Sequence, residues 1–122
     1  MALTVIVTRS IDRHGRPSAL TIERVEWEQL VANDNDLRRR TEPHVAINPT
    51  TGERIVIEHG ELEAEFGAND RWMSFLRFRA GDLVMRYSPA FDDPSNPVRK
   101  KIVAVARVLA AIIKIDQQVV DW

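Results

Sequence analysis

The apolar positions of this chain change period several times, and each change predicts an element. Leu3, Val5 and Val7 alternate with Thr4, Ile6 and Thr8, a β-branched opening that predicts a strand. Residues 12–17 are turn chemistry, and residues 19–22 predict a short return strand, giving an N-terminal hairpin. From Glu23 the period becomes helical. Trp27, Leu30 and Val31 fall at i, i+3 and i+4 with Glu23, Glu26 and Glu28 among them, and acids in the first turns favour the positive end of the helix dipole. Asn33-Asp34-Asn35-Asp36 stops that helix.

Two hairpins follow. Residues 45–47 and 54–58 are β-rich runs joined by the Pro/Gly turn of residues 48–53. Residues 72–78 and 83–87 are joined by a tight turn at residues 79–82. In this second hairpin Leu76, Phe78, Leu83 and Met85 alternate with Arg77, Arg79, Val84 and Arg86, so one face is apolar and the other carries arginines. Val98, Ile102, Val105, Ala106, Leu109, Ile112 and Ile113 hold the 3.6 period and predict a long helix, with Asp92, Asp93 and Asn96 as available caps and Pro94 or Pro97 suited to its first position. Residues 114–120 predict a terminal strand. The fold class expected is α+β: an antiparallel meander with two helices packed on one face, in a single domain spanning residues 1–122.

Composition narrows the functional classes. At 122 residues, with 44% apolar and 29% charged residues, the chain can bury a core without covalent staples. The absence of cysteine removes disulfides, thiolate metal sites and cysteine nucleophiles together, and suits a reducing compartment. The apolar N-terminal residues lack the flanks of a secretory signal, and the longest apolar stretch, residues 102–113, contains Arg107 and falls short of the ~20 residues of a membrane span. The expectation is a cytoplasmic protein. A net charge of −1 argues against a nucleic-acid partner, although the charges are segregated: Arg38-Arg39-Arg40 is basic and residues 58–70 are acidic.

No phosphate loop, His-Glu-x-x-His or nucleophile elbow is present, and no nucleophile–base–orienter set emerges. The expectation is therefore a non-enzyme with no catalytic residues, no cofactor and no metal. His44 and His59 flank the first hairpin, and Glu42 or Glu58 would complete a metal site with them, but histidines without ligand spacing are more often ordinary strand residues. Glu61, Glu63 and Glu65 form either a solvated charged loop or an acidic contact surface. Arg77, Arg79 and Arg86 would gather on the sheet face away from the core, as a solubilising face or as a basic patch for a carboxylate-rich protein surface or for RNA, the last disfavoured because only Phe75 and Tyr87 are near enough to stack on bases. Trp27 and Trp72 are expected in the core, while the indole of Trp122 docks on this domain or on a partner.

The runs 22–27 and 46–57, the later Leu76-Arg77-Phe78-Arg79-Ala80-Gly81-Asp82-Leu83 and the long helix after it resemble a family of small bacterial immunity proteins encoded beside polymorphic toxins, including Rhs-type and type VI secretion effectors. The resemblance covers residues 22–113; residues 115–122 differ from that family's glycine-rich acidic tail. It implies a protein that binds a cognate toxin or effector domain and occludes its active site, and it supplies no catalytic residues. The surface expected to meet that partner comprises Glu58, Glu61, Glu63, Glu65 and Asp70, with Arg77, Arg79, Arg86 and Trp122. No membrane partner is expected, and the free chain is expected as a monomer or weak homodimer. An effector adaptor, a small enzyme reversing a toxin's modification, and a homodimer built on the exposed sheet face are the alternatives.

Overall fold

The strand that organises the molecule is the first. β1 (Thr4–Thr8) sends Val5 and Val7 to one side, both fully buried, and Thr4 and Ile6 to the other. The computed structural model describes residues 3–122 apart from 13, 15, 41–43, 58–61 and 69. After β1 come α1 (Arg24–Asn33), β2 (Leu37–Arg39), β3 (His44–Ile47), β4 (Arg54–Ile57), β5 (Glu63–Ala68), β6 (Arg71–Arg79) and β7 (Asp82–Arg86). A short 3₁₀ turn (Pro89–Asp92), α2 (Pro97–Val108), β8 (Ile112–Ile115) and β9 (Gln118–Val120) complete the chain.

Seven strands pair antiparallel in the order β2-β5-β6-β7-β1-β8-β9, and β3 and β4 form a separate two-stranded sheet. The class is α+β, with both helices contributing to one core. Val5, Val7, Leu76, Leu83 and Ile113 of the sheet pack with Trp27 of α1 and Val98, Ile102, Val105 and Ala106 of α2. Arg9, just past β1, ties both helices to it. Its guanidinium forks onto Glu26 with two bonds of 2.7 Å, and its Nε–H donates to the Leu109 carbonyl at the end of α2.

Several expectations need correction. Residues 19–22 form no strand: a single bridge joins Ile11 to Pro17, and both edges of β1 are taken by β7 and β8. Ile22 instead buries its side chain and donates its N–H to the Gly81 carbonyl at 2.9 Å. The basic run and the acidic stretch contain strands, not loops: β2 pairs with β5 through Leu37↔Phe66, Arg38↔Glu65 and Arg39↔Ala64. The last helix ends at Val108, short of Ile112 and Ile113. Ala110, at φ +51°, takes the left-handed position, with Ala110 N–H donating to Arg107 O at 3.2 Å and Ala111 N–H to Ala106 O at 2.8 Å. That is a Schellman stop made without glycine. The terminal strand is in fact the hairpin β8–β9, turning at Asp116 (φ +52°). Trp72 is not a core anchor; it is 41% exposed.

Candidate functional site

Helices cover one face of the seven-stranded sheet, so the chemistry on the other face follows from register. Directly paired residues share a face. Glu63 pairs with Arg77, Arg77 with Val84, Val84 with Ile6, and Ile6 with Lys114. All five therefore lie opposite Val5 and Leu83. Arg79 and Arg86, two residues along from Arg77 and Val84, lie there too, as do Glu65 and its partners Arg38 and Ser74. A bulge in β6 between Ser74 and Arg77 turns Phe75 and Leu76 both inward, where they are buried.

This outer face has two halves. Near the β2 edge, charges are paired. Arg38 Nε lies 3.0 Å from Glu65 Oε1, Arg40 Nη1 lies 3.3 Å from Glu65 Oε2, and Arg40 Nε lies 4.0 Å from Glu63 Oε2. Arg40 also donates to Ser74 Oγ at 3.4 Å, and the Arg38 guanidinium lies over the Trp72 ring at 4.2 Å. The Glu63 side chain is only 8% exposed. Two of the acids expected to face a partner, Glu63 and Glu65, are thus held by Arg38 and Arg40 of the basic run. Asp70 sits exposed in the β5–β6 turn at φ +62°. Glu58 and Glu61 lie outside the described residues, as do Glu42 and His59 of the metal alternative.

Toward the middle of the sheet the charges are not paired. Arg77, Arg79 and Arg86 make no ion pair or side-chain hydrogen bond among the described residues. Arg77 and Arg86 flank Val84, which is nearly covered, and a groove of about 500 Å³ opens there between Thr4, Glu63, Ser74, Arg77, Val84 and Arg86, with Arg79 two residues along β6 opposite Asp82. Asp82 on the same face is occupied by the Thr8 hydroxyl, which donates to it at 2.6 Å. The register thus brings the three predicted arginines together on a face with a net excess of positive charge.

Trp122 docks on its own domain. Its ring meets Phe91 edge-on at 6.2 Å and lies under the Arg99 guanidinium at 4.9 Å. A second groove, of about 540 Å³, runs between α1 and β2, where Trp27, Val31, Leu37 and Leu62 give it an apolar floor. Trp27 closes its inner end, donating Nε1–H to the Leu62 carbonyl at 2.8 Å.

Elsewhere the ionised groups serve the fold. A hydrogen bond from Arg9 holds the Glu26 carboxyl below its ordinary range, with help from the Glu23 backbone, and the same bond raises the Arg9 guanidinium. Burial would raise the Asp34 carboxyl, but bonds from Lys101 and the Asp36 backbone outweigh it and keep it low. The Tyr87 hydroxyl is pushed up by the bond it donates to Asp92. Among the described residues no three His, Asp or Glu side chains are placed to hold a metal ion, and no helix is long and apolar enough to cross a membrane.

What the sequence reading missed was the pairing of Arg38 and Arg40 with Glu65 and Glu63, because it read neither β2 nor β5 as strands. The β3–β4 hairpin was legible, but its exposure was not. No family model, curated protein or solved structure matches the chain.

Proposed function

We propose that the protein acts by binding another protein through the arginine-bearing middle of its outer sheet face, as an immunity protein that neutralises a toxin domain by covering its active site. The observation that carries the binding surface is the set of three unpaired arginines on one sheet face, Arg77 and Arg86 beside Val84 and Arg79 two residues along β6. Arginine presents a planar fork that matches carboxylates, and an apolar centre ringed by charge is the anatomy of a specific contact. The matching surface is acidic, and the positive face steers the encounter. Neutralisation, the further step, rests on the resemblance of residues 22–113 to immunity proteins. Glu63 and Glu65 enter this reading as supports that hold Arg38 and Arg40 in place, with Asp70 at the rim.

Affinity capture of the tagged chain from its native cells, followed by titration of the captured partner's activity, tests both steps. The expected result is one stoichiometric partner whose activity disappears at one equivalent. Replacing Arg77, Arg79 and Arg86 together by Glu should weaken that complex by at least about a hundredfold, since like-charge juxtaposition costs several kcal/mol. Unchanged affinity in the triple variant would remove the arginine face from the interface. Partner activity that survives saturation would overturn neutralisation.

A further inference from the structure

The β3–β4 hairpin stands outside the main sheet, and its aliphatic side chains point both ways. Val45 and Val56 are paired and share one face with Ile47; Ala46 and Ile55 are paired and share the other. Val45, Ile47, Ile55 and Val56 are 48%, 67%, 47% and 55% exposed. Strands that are apolar on both faces are normally covered on both. A two-stranded hairpin alone is marginal in water, and further strands are what make such a sheet stable.

The two edges of the hairpin are unlike. β4 carries Arg54 and is preceded by Glu53, charges of the kind that blunt an edge against unwanted pairing. β3 has no Asp, Glu, Lys, Arg or Pro between His44 and Ile47, and no third strand covers it among the described residues. The hydrogen-bond phase shows what that edge offers. Asn48 N–H donates to Glu53 O at 2.8 Å, so residues 48 and 53 face each other as a hydrogen-bonded pair. Such pairs alternate along an antiparallel ladder, which makes Ala46 and Ile55 the next one. The N–H and C=O groups of Val45 and Ile47 therefore point away from β4.

We infer that β3 is a self-pairing edge, through which two copies of this chain join their hairpins into a continuous four-stranded sheet β4-β3-β3′-β4′. A two-fold axis through Ala46 sets Val45 of one copy against Ile47 of the other, twice. In that register all four outward N–H and C=O groups of each copy find partners. Ala46 meets its own counterpart in the intervening position, where an antiparallel ladder brings Cα atoms closest, at about 4.5 Å, and where a small side chain fits without crowding. No like charges face one another across the junction. Val45, Ile47 and Val56 of both copies then form one unbroken aliphatic surface, and the pairing closes after two chains. This dimer uses neither the arginine face nor any toxin, so it stands or falls separately from the proposed function.

Sedimentation equilibrium of the full chain alone, over a wide concentration range, tests it. The expected result is a reversible one-chain to two-chain equilibrium. Ala46→Glu and Ala46→Lys should each weaken it by at least about tenfold, because identical charges would meet on the axis. An equimolar mixture of the two variants should recover the two-chain mass, which a merely misfolded variant could not do. A one-chain mass up to about 1 mM would mean a standard association energy weaker than about −4 kcal/mol and would overturn the proposal, leaving that edge to a foreign strand. Unchanged dimerisation in Ala46→Glu would overturn the assignment to β3.

Discussion

The hairpins β3–β4 and β6–β7 are built from the same local signals and meet opposite fates. Each has two β-rich runs and a turn with a positive-φ glycine, Gly52 at +73° and Gly81 at +87°. Leu83 of β7 is fully buried, whereas Ile47 of β3 is 67% exposed. The difference lies in periodicity. β6–β7 alternates apolar residues with arginine, so that one face joins the common core while the other carries the charges. In β4, Ile55, Val56 and Ile57 run without alternation, a pattern suited to cover on both sides that the other described residues do not provide. Turn chemistry decides that a hairpin forms, and the pattern of its faces decides what it must be buried against.

Matched truncations should break that contrast most visibly. Leu83→Ala removes a fully buried side chain and should cost about 2–5 kcal/mol in denaturant unfolding. Ile47→Ala, measured at concentrations too low for self-association, should stay within about 0.5 kcal/mol. A comparable loss at Ile47 would mean that β3–β4 packs on the body of its own chain.

The two turn glycines give a smaller contrast. A methyl at Gly81 would sit 3.0 Å from Thr21 Cβ in a left-handed backbone, and the Gly81 carbonyl also accepts from Ile22 N–H. Gly81→Ala should therefore cost about 2–3 kcal/mol, strain and collision together. At Gly52 nothing lies within 4 Å of the added carbon, so Gly52→Ala should cost only the conformational term, about 1 kcal/mol. Equal losses would show that Thr21 yields freely.

Arginines on the outer face should separate in the same way. Arg40→Ala leaves the nearly buried Glu63 without one of its cations and should cost about 1–3 kcal/mol of stability. Arg77→Ala should leave stability within about 0.5 kcal/mol and register only in partner affinity. If Arg77→Ala destabilises the free chain as much as Arg40→Ala, the arginine patch is structural and not a contact surface.

How much of this the sequence discloses depends on whether local chemistry or pairing decides the outcome. Both central hairpins and α1 were legible, and the start of α2 was narrowed to residues 92–97, since turns, caps and periodicity act over a few residues. Of the candidate caps Asp92, Asp93 and Asn96, it is the Asn96 side chain that accepts from Val98 N–H and Arg99 N–H. The end of α2 was hidden because Ala110 occupies a left-handed position usually given to glycine, and Ile112 and Ile113 continue the helical period by coincidence. β2 and β5 were hidden because their charged residues look solvated until paired: Arg38 and Glu65 are 27 positions apart. The gathering of Arg77, Arg79 and Arg86 on one face followed from alternation alone. The shared network of Arg40, Glu63 and Glu65 required knowing which strands are neighbours.

Acidification should draw the last and smallest distinction, between the body of the fold and the hairpin that projects from it. Glu26, bound by Arg9, and Asp34, bound by Lys101, both titrate below their ordinary values of 4.5 and 3.8 in the folded chain. A carboxyl depressed by folding adds stability at pH above its unfolded value, and that contribution is lost as pH falls through the folded one. Both ion pairs tie α1 and the loop after it to β1 and α2, and neither touches β3 or β4. Thermal stability should therefore be flat from neutral pH to about 5 and decline below about 4.5, where these two groups begin to bind protons in the unfolded chain but not yet in the folded one. Glu26→Gln and Asp34→Asn should each lower the neutral-pH melting temperature by about 2–4 °C and flatten the acid limb, the modest size reflecting solvent screening of partly exposed pairs. Amide exchange should show the loss in α1 first, with the already open β3 amides of Val45 and Ile47 unchanged in the monomer. An acid limb that survives both substitutions would show that neither ion pair carries the acid sensitivity of the fold.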